Sequence, residues 1–267
     1  MNAAHTWCMK TTPRQNVQEL RANRELVPGD DERFSGFGVI GIPYASGDYL
    51  ALREMVASSI GPAYRAIWHR DPQGRWMIYT TAEPWLSCPR YFGSPGGSER
   101  VEEISIEFTT DWQLRVSMGE RISWTLNLAS TTASRLMSAM GSAMPRWAWN
   151  SQTALAAMNP MATVALGAGR MRLAGLTPNG PGYRAAPLRV WHVSDAPVVL
   201  DGVDLGPIGA LKTQIKLGDF WLPQRGLFFT GNARFESESS SALHTSADEL
   251  QGQRAMSRTA TRDAPLQ

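Results

Sequence analysis

Lysine is nearly missing from this chain. Of its 26 basic residues only Lys10, Lys212 and Lys216 are lysine. The arginines that replace it stay charged at ordinary pH, so amine nucleophiles are scarce. Cysteine is scarcer still: Cys8 and Cys88 cannot build a disulfide framework, and neither has a histidine partner by local signature. Met1 to Arg14 lacks the apolar core of a signal peptide. No run of about eighteen uninterrupted apolar residues occurs, so no membrane-spanning helix is expected. The net charge is only +2, whereas a nucleic-acid surface needs a clustered basic excess. Together these absences describe a reduced, cytoplasmic protein that binds no nucleic acid.

The familiar chemical motifs are absent too. There is no His-x-His, His-Glu-x-x-His or Cys-x-x-Cys, so no metal site is expected. Gly-x-Ser-x-Gly is missing, and no serine sits on a strand-to-helix elbow. Gly167-Ala168-Gly169 follows a helical pattern rather than a strand, which makes it a helix stop and not a phosphate loop. No cofactor is expected. Lys212 and Lys216 would share a face if extended, but lysines suit an exposed strand edge better than a buried Schiff-base site.

What is present is an ordinary globular composition, 43% apolar and 19% charged, and one phrase spoken twice. Gly61-Pro62-Ala63-Tyr64-Arg65-Ala66-Ile67-Trp68-His69 returns as Gly180-Pro181-Gly182-Tyr183-Arg184-Ala185 and, after an insertion, Trp191-His192. The helical segment between the copies has no counterpart in the first half, so the phrase does not mark two full domains. In each Trp-His pair the two side chains must point to opposite faces of a strand.

Residues 1–33 read as a flexible N-terminal segment, residues 34–235 as a single β-barrel-like domain and residues 236–267 as a disordered C-terminal tail. The tail is rich in Ser, Thr, Glu, Ala and Arg and cannot bury enough surface to offset its ordering entropy. The body can bury roughly 70% of its unfolded surface, enough for one core.

Within the body, residues 36–44, 49–57 and 63–70 read as strands. Asp71-Pro72-Gln73-Gly74 suits a type I turn that folds residues 63–70 onto 75–81. From Glu103 to Leu128, apolar and polar residues alternate over three neighbouring segments, the mark of an antiparallel meander. A helix capped by Ser130 or Thr131 runs to Met144, with Met137 and Met140 on one stripe, and stops at Pro145. A second short helix starts at Asn150 or Ser151. A third starts at Asn159-Pro160, with proline at its first position. Strands resume at 188–193, at 198–205 around Asp201-Gly202, and at 227–235. The expected fold class is mainly β: an antiparallel barrel or strongly curved sheet with an α-helical insertion at about residues 131–169.

Candidate site residues follow from chemistry and faces. His69 and His192, with Asp71 and Asp195 just beyond them, are candidates for proton transfer, since imidazole titrates near neutrality. Tyr64, Trp68, Trp124, Met137, Met140, Tyr183 and Trp191 are candidates for a ligand-binding wall, because methionine and aromatics make adaptable pocket linings, and Arg115 and Asn127 join them if the polar face of the meander turns inward to line a cavity. The leading reading is a hydrophobic small molecule bound in a β-barrel cavity capped by the Ala/Met-rich helices. The alternatives are a cofactor-free enzyme (a cyclase, isomerase, hydratase or decarboxylase) using His/Asp proton transfer on a small hydrophobic substrate, and a protein-interaction module. The last predicts an exposed apolar patch on residues 131–169.

Overall fold

The computed structural model describes residues 11–93 and 96–237. The expected tail, from 238 on, lies outside them. The chain is mainly β, with a large mixed sheet and few helices.

After a leading helix, α1 (Pro13–Ala22), comes the first meander. It is β1 (Glu32–Pro43), β2 (Tyr49–Ser58), β3 (Tyr64–Arg70) and β4 (Trp76–Thr80), antiparallel throughout. The Asp71–Gly74 turn forms where the sequence places it: Gly74 N–H donates to Asp71 O at 2.9 Å, with Gly74 at φ 90°. The one-turn helix α2 (Pro89–Phe92) follows, and β5 (Ser98–Arg100) then adds to β4 in parallel. The second meander is β6 (Ser105–Phe108), β7 (Gln113–Met118) and β8 (Ile122–Ala129). The helical insertion is α3 (Thr132–Ala143), α4 (Arg146–Asn150) and α5 (Gln152–Leu166). The chain continues with β9 (Ala174–Leu176), β10 (Gly182–Asp195) and the hairpin β11 (Val198–Leu200) and β12 (Val203–Asp204). It closes with the small hairpin β13 (Lys216–Leu217) and β14 (Phe220–Trp221), and with β15 (Leu227–Phe235). The Asp201-Gly202 turn has both residues at positive φ, 47° and 82°, as a tight hairpin requires.

The last strand makes the sheet whole. β15 lies between β1 and β10 and so joins the two meanders. The path runs β6-β7-β8-β10-β15-β1-β2-β3-β4-β5, with β11 sharing an edge of β8 and β9 an edge of β10. Its ends, β5 and β6, are not paired with each other, so the sheet is not closed into the expected barrel. Side chains span the seam instead of a ladder. Arg65 Nη1 donates to Ile104 O at 2.9 Å, and Arg121 Nη2 to Tyr79 OH at 3.0 Å.

Alternation along the strands separates two cores. Phe37, Leu52, Ile67, Val116, Trp124, Trp191 and Phe228 fill the inner face, around which the sheet curls. Phe34, Met55, Tyr64, Trp68, Tyr183 and Phe235 lie on the outer face, covered by α2 and its flanking turns.

Three expectations need correction. Residues up to 33 are not simply a flexible lead, because α1 docks on the sheet. Thr12 and Gln15 form a capping box, Val17 is fully buried, and Asn16 Oδ1 accepts from Thr230 at 2.6 Å. Asn159-Pro160 does not start a third helix. Pro160 sits inside a continuous α5, while Asn159 Oδ1 accepts from Leu173 N–H at 3.0 Å. The helices also do not cap a barrel mouth; α3 lies along β10. Between its pairings with β9 and β8, β10 has no strand on that edge, and Ser138 and Ser142 of α3 bond its free backbone groups. Gly141 allows this approach: a Cβ there would meet Leu188 O and Pro187 O at 2.8 Å.

Candidate functional site

Between the outer face of the sheet and its cover lies an apolar pocket of about 100 Å³. Its floor comes from alternate residues of four strands: Phe34 on β1, Arg53 and Met55 on β2, Tyr64 and Trp68 on β3, and Phe229, Ala233 and Phe235 on β15. β10 adds Tyr183, Ala185 and Pro187, and the roof is Tyr91 and Phe92 of α2 with Phe220 and Trp221 of β14.

The aromatic walls lock one another. Tyr91 stacks on Phe235 with ring centroids 3.8 Å apart, and Phe34 meets both rings edge-on at 5.8 and 5.6 Å. Phe92 bridges Trp68 at 4.9 Å and Phe220 at 5.7 Å. Such edge and stacked contacts add about 0.5–1.5 kcal/mol each beyond area burial. α2 is only one turn long, and polar ties hold it down. Glu32 accepts from Tyr91 OH at 2.5 Å and from Arg90 Nη2 at 2.8 Å, while Asn179 Nδ2 donates to Arg90 O at 2.9 Å.

Three polar groups converge on this apolar space. Arg53, 6% exposed, lies with its guanidinium 5.2 Å from the Trp68 ring and 5.4 Å from Phe229. A bulge in β1 between Val39 and Ile42 frees carbonyls for it. It donates to Val39 O, to Leu52 O at 2.8 Å and to Ile40 O at 3.3 Å. Burial lowers its pKa from the ordinary guanidinium value, with Cys88 and the tyrosines opposing. Cys88 Sγ sits 3.3 Å from Tyr64 OH. Burial pushes up both the thiol and the phenol, so each stays protonated. A thiol held in that state is a poor nucleophile.

Of the residues singled out from sequence, Tyr64, Trp68 and Tyr183 meet in this pocket. Trp124 and Trp191 pack in the inner core instead. Arg115 is exposed on the meander, and Asn127 bonds Gln113 at 2.8 Å and Asp195 at 3.4 Å. Met137 is buried and Met140 half-buried on α3, outside the pocket.

The two histidines are not brought together. Trp68 belongs to the outer cluster, so His69 points to the inner side; Trp191 belongs to the inner core, so His192 points outward. Four strand spacings separate β10 from β3, about 19 Å along the sheet. Nor do the expected aspartates orient them. Asp71 accepts from Arg75 Nε at 2.6 Å within its turn. His69 Nε2 lies instead 2.7 Å from Oδ1 of Asp48, at the β1–β2 turn. His192 Nδ1 is buried without a hydrogen-bond partner, and burial followed by the Arg225 charge lowers its pKa.

Sequence reasoning missed Arg53, Cys88 and Asp48. Arg53 left a trace: in the run 49–56 it is the one charge on the face of Tyr49, Ala51 and Met55. Asp48 left none, since only the β2–β3 register, Leu50 opposite His69, brings it near.

Among the described residues no group of three or more His, Cys, Asp or Glu is placed to hold a metal ion. No helix there is long and apolar enough to cross a membrane. The insertion leaves Leu136, Trp147 and Val164 exposed.

No family model matches the chain, and no curated protein matches it. Among solved structures, it is similar to the crystal structure of acetoacetate decarboxylase from Legionella pneumophila subsp. pneumophila str. Philadelphia 1. The identity is 10% and the TM-score 0.35, over 78% of this chain and 86% of that one. A likeness of that size assigns no activity. The class that fold and site define is a mainly β protein with an apolar pocket on the outer face of its sheet.

Proposed function

We propose that the protein binds a small apolar molecule in the outer-face pocket. The observation that carries this is a space walled by interlocked aromatic rings, with few polar groups converging on it, the usual build of a ligand site. At about 100 Å³ the pocket is smaller than the apolar cavity of about 150 Å³ that accepts benzene, which restricts it to a small ligand. The inner face of the sheet supports no comparable site, because Trp124, Trp191 and Phe228 fill it.

The test is to titrate small apolar probes such as benzene and hexanol into the full chain. The methyl groups of Met55 and Met171, both on the pocket wall, are followed by NMR. Saturable shifts at both are expected. Saturation at neither residue, together with an organic extract free of any apolar compound, would sink the reading.

A second reading, the cofactor-free enzyme, is favoured by one observation: Asp48 and His69 form a largely buried pair at 2.7 Å. A carboxylate that orients an imidazole is how general bases are positioned. If His69 serves so, the chain will exchange hydrogens next to the carbonyl group of small ketones in D2O, and His69→Gln will stop it. No exchange above the buffer rate counts against this reading and leaves the binding proposal standing.

A further inference from the structure

We propose that the ligand of the outer-face pocket carries a carboxylate that seats on Arg53. This rests on the reading of that pocket as a small-molecule site, and it names the chemical class the site takes.

Arg53 is a buried cation with no protein anion beside it among the described residues. The arginines at the seam are matched: Arg21 and Arg65 both pair with Glu54, at 2.8 and 3.1 Å. The arginines that share the pocket wall are matched too. Arg172 pairs with Asp219 at 2.9 Å, and Arg184 with Asp31 at 3.5 Å. Arg53 has only neutral carbonyl acceptors and two ring faces. The described pocket lining contains no Asp or Glu. The ionisable groups near enough to act on its charge, Cys88, Tyr49 and Tyr64, are held in their neutral forms by burial. Burying a charge without a counter-charge is costly, and a bound anion would remove that cost.

The donor count agrees. A guanidinium has five N–H groups. Two bonds from Nη1 and one from Nη2 account for three. Nε–H and the second Nη2–H have no protein acceptor among the described residues. Two parallel donors on a planar fork match the two oxygens of a carboxylate. A phosphate or sulfate would present further oxygens to Phe and Met walls that cannot bond them, whereas a carboxylate needs the fork alone, with the unpartnered Nε1–H of Trp68 as one further donor. The apolar walls then take a hydrocarbon body, and the volume of about 100 Å³ keeps that body short. The ligand so described is a small aliphatic or aromatic acid.

The experiment compares butanoate, hexanoate and octanoate with the alcohols of the same length, binding to the wild-type full chain. The readouts are calorimetry and the methyl shifts of Met55 and Met171. The acid of best-fitting length is expected to bind about tenfold or more tighter than its alcohol, the margin of a charge-assisted over a neutral hydrogen bond. Arg53→Met should abolish that margin while the alcohol still binds, and Arg53→Lys should keep part of it. Should Arg53→Met not fold, the wild-type comparison decides alone. Alcohols that bind as tightly as the acids overturn the carboxylate and leave the pocket reading intact. If neither series moves the two methionines, both fall.

Discussion

Trp68 and Trp191 hold matching places in the doubled phrase yet lie on opposite faces of one sheet, Trp68 in the outer cluster and Trp191 in the inner core. The tyrosines that open the phrase, Tyr64 and Tyr183, do share a face, and both line the outer pocket. Trp68 lies four positions after Tyr64 and Trp191 eight positions after Tyr183, so plain alternation would put each tryptophan on its tyrosine's side. The register shift of β10 between Pro187 and Arg189 breaks that parity. One bulge residue turns every later side chain over. It sends Trp191 inward and His192 outward.

That divergence separates stability from binding. Trp191→Ala is expected to cost about 3–5 kcal/mol, the usual range for a deleted core aromatic. It should leave pocket ligands unaffected relative to the folded fraction. Trp68→Ala should cost a similar amount and also weaken or reshape binding. Urea melts combined with probe titrations of each variant check both outcomes.

Glu54 is the anion that holds the seam. Its carboxylate takes both Arg21 and Arg65 while itself being 9% exposed, and these arginines also reach Ile106 O and Ile104 O across the gap. Glu54→Gln leaves two cations facing a neutral amide. Breaking a fully buried pair costs about 3–5 kcal/mol, but both arginines keep partial contact with water, so about 2 kcal/mol is expected. The urea midpoint should fall with the slope unchanged. A midpoint equal to wild type would show that α1 and the seam do not depend on this triad.

Much of the architecture is legible in local sequence pattern. The meander at 103–128, the hairpins at Asp71–Gly74 and Asp201-Gly202, and the helix stop at Pro145 follow from alternation and turn chemistry, which act over a few residues. Closure of the barrel is not legible in this way, because whether β5 meets β6 depends on accumulated twist and not on any residue pair. The His-Asp pairing misleads for a related reason. Asp71 is near His69 in sequence, but its turn claims it, and Asp48 reaches the imidazole through the β2–β3 register. Only part of the pocket wall is readable: Tyr64, Trp68 and Tyr183 stand out in the doubled phrase. Its cation is hidden in the middle of an apolar strand.

His192 makes stability depend on pH. Burial and Arg225 depress its pKa in the folded chain below the unfolded value near 6.5. As pH falls below about 6.5, the unfolded state takes up a proton that the folded state resists, so stability declines until the folded pKa is passed. Above that window the group contributes nothing. His192→Phe should flatten this part of the curve, read as urea midpoints between pH 7.5 and pH 5. An unchanged slope would show that His192 titrates alike in both states.

Ser138 lets a helix stand in for a strand. Its Oγ accepts from Val190 N–H at 2.9 Å and donates to Val190 O at 3.1 Å, completing the edge of β10 that β8 and β9 leave open. Ser138→Ala strands both backbone groups and is expected to cost about 1–3 kcal/mol. Gly141→Ala should loosen the same contact by steric overlap with Leu188 O and Pro187 O. In each variant, hydrogen exchange at the Val190 amide should quicken more than exchange at Phe37 in the inner core. Uniform quickening would mean that α3 is not a local cover but part of the global unfolding unit.

Cys88 reports whether the pocket opens. The thiol is buried against Tyr64, and burial raises its pKa, so it combines poor access with little thiolate. In a Cys8→Ser background, iodoacetamide at pH 8 should label Cys88 far more slowly in the native chain than in urea. Labelling through local lifting of α2 would instead be faster than the global unfolding rate allows. A pocket ligand should then slow it in proportion to occupancy, because ligand and reagent compete for the same space between Tyr64, Trp68 and the roof. Slowing by a ligand that also shifts Met55 would place both events in one cavity. Labelling indifferent to a saturating ligand would show that Cys88 is reached by another route and that the roof is not the way in.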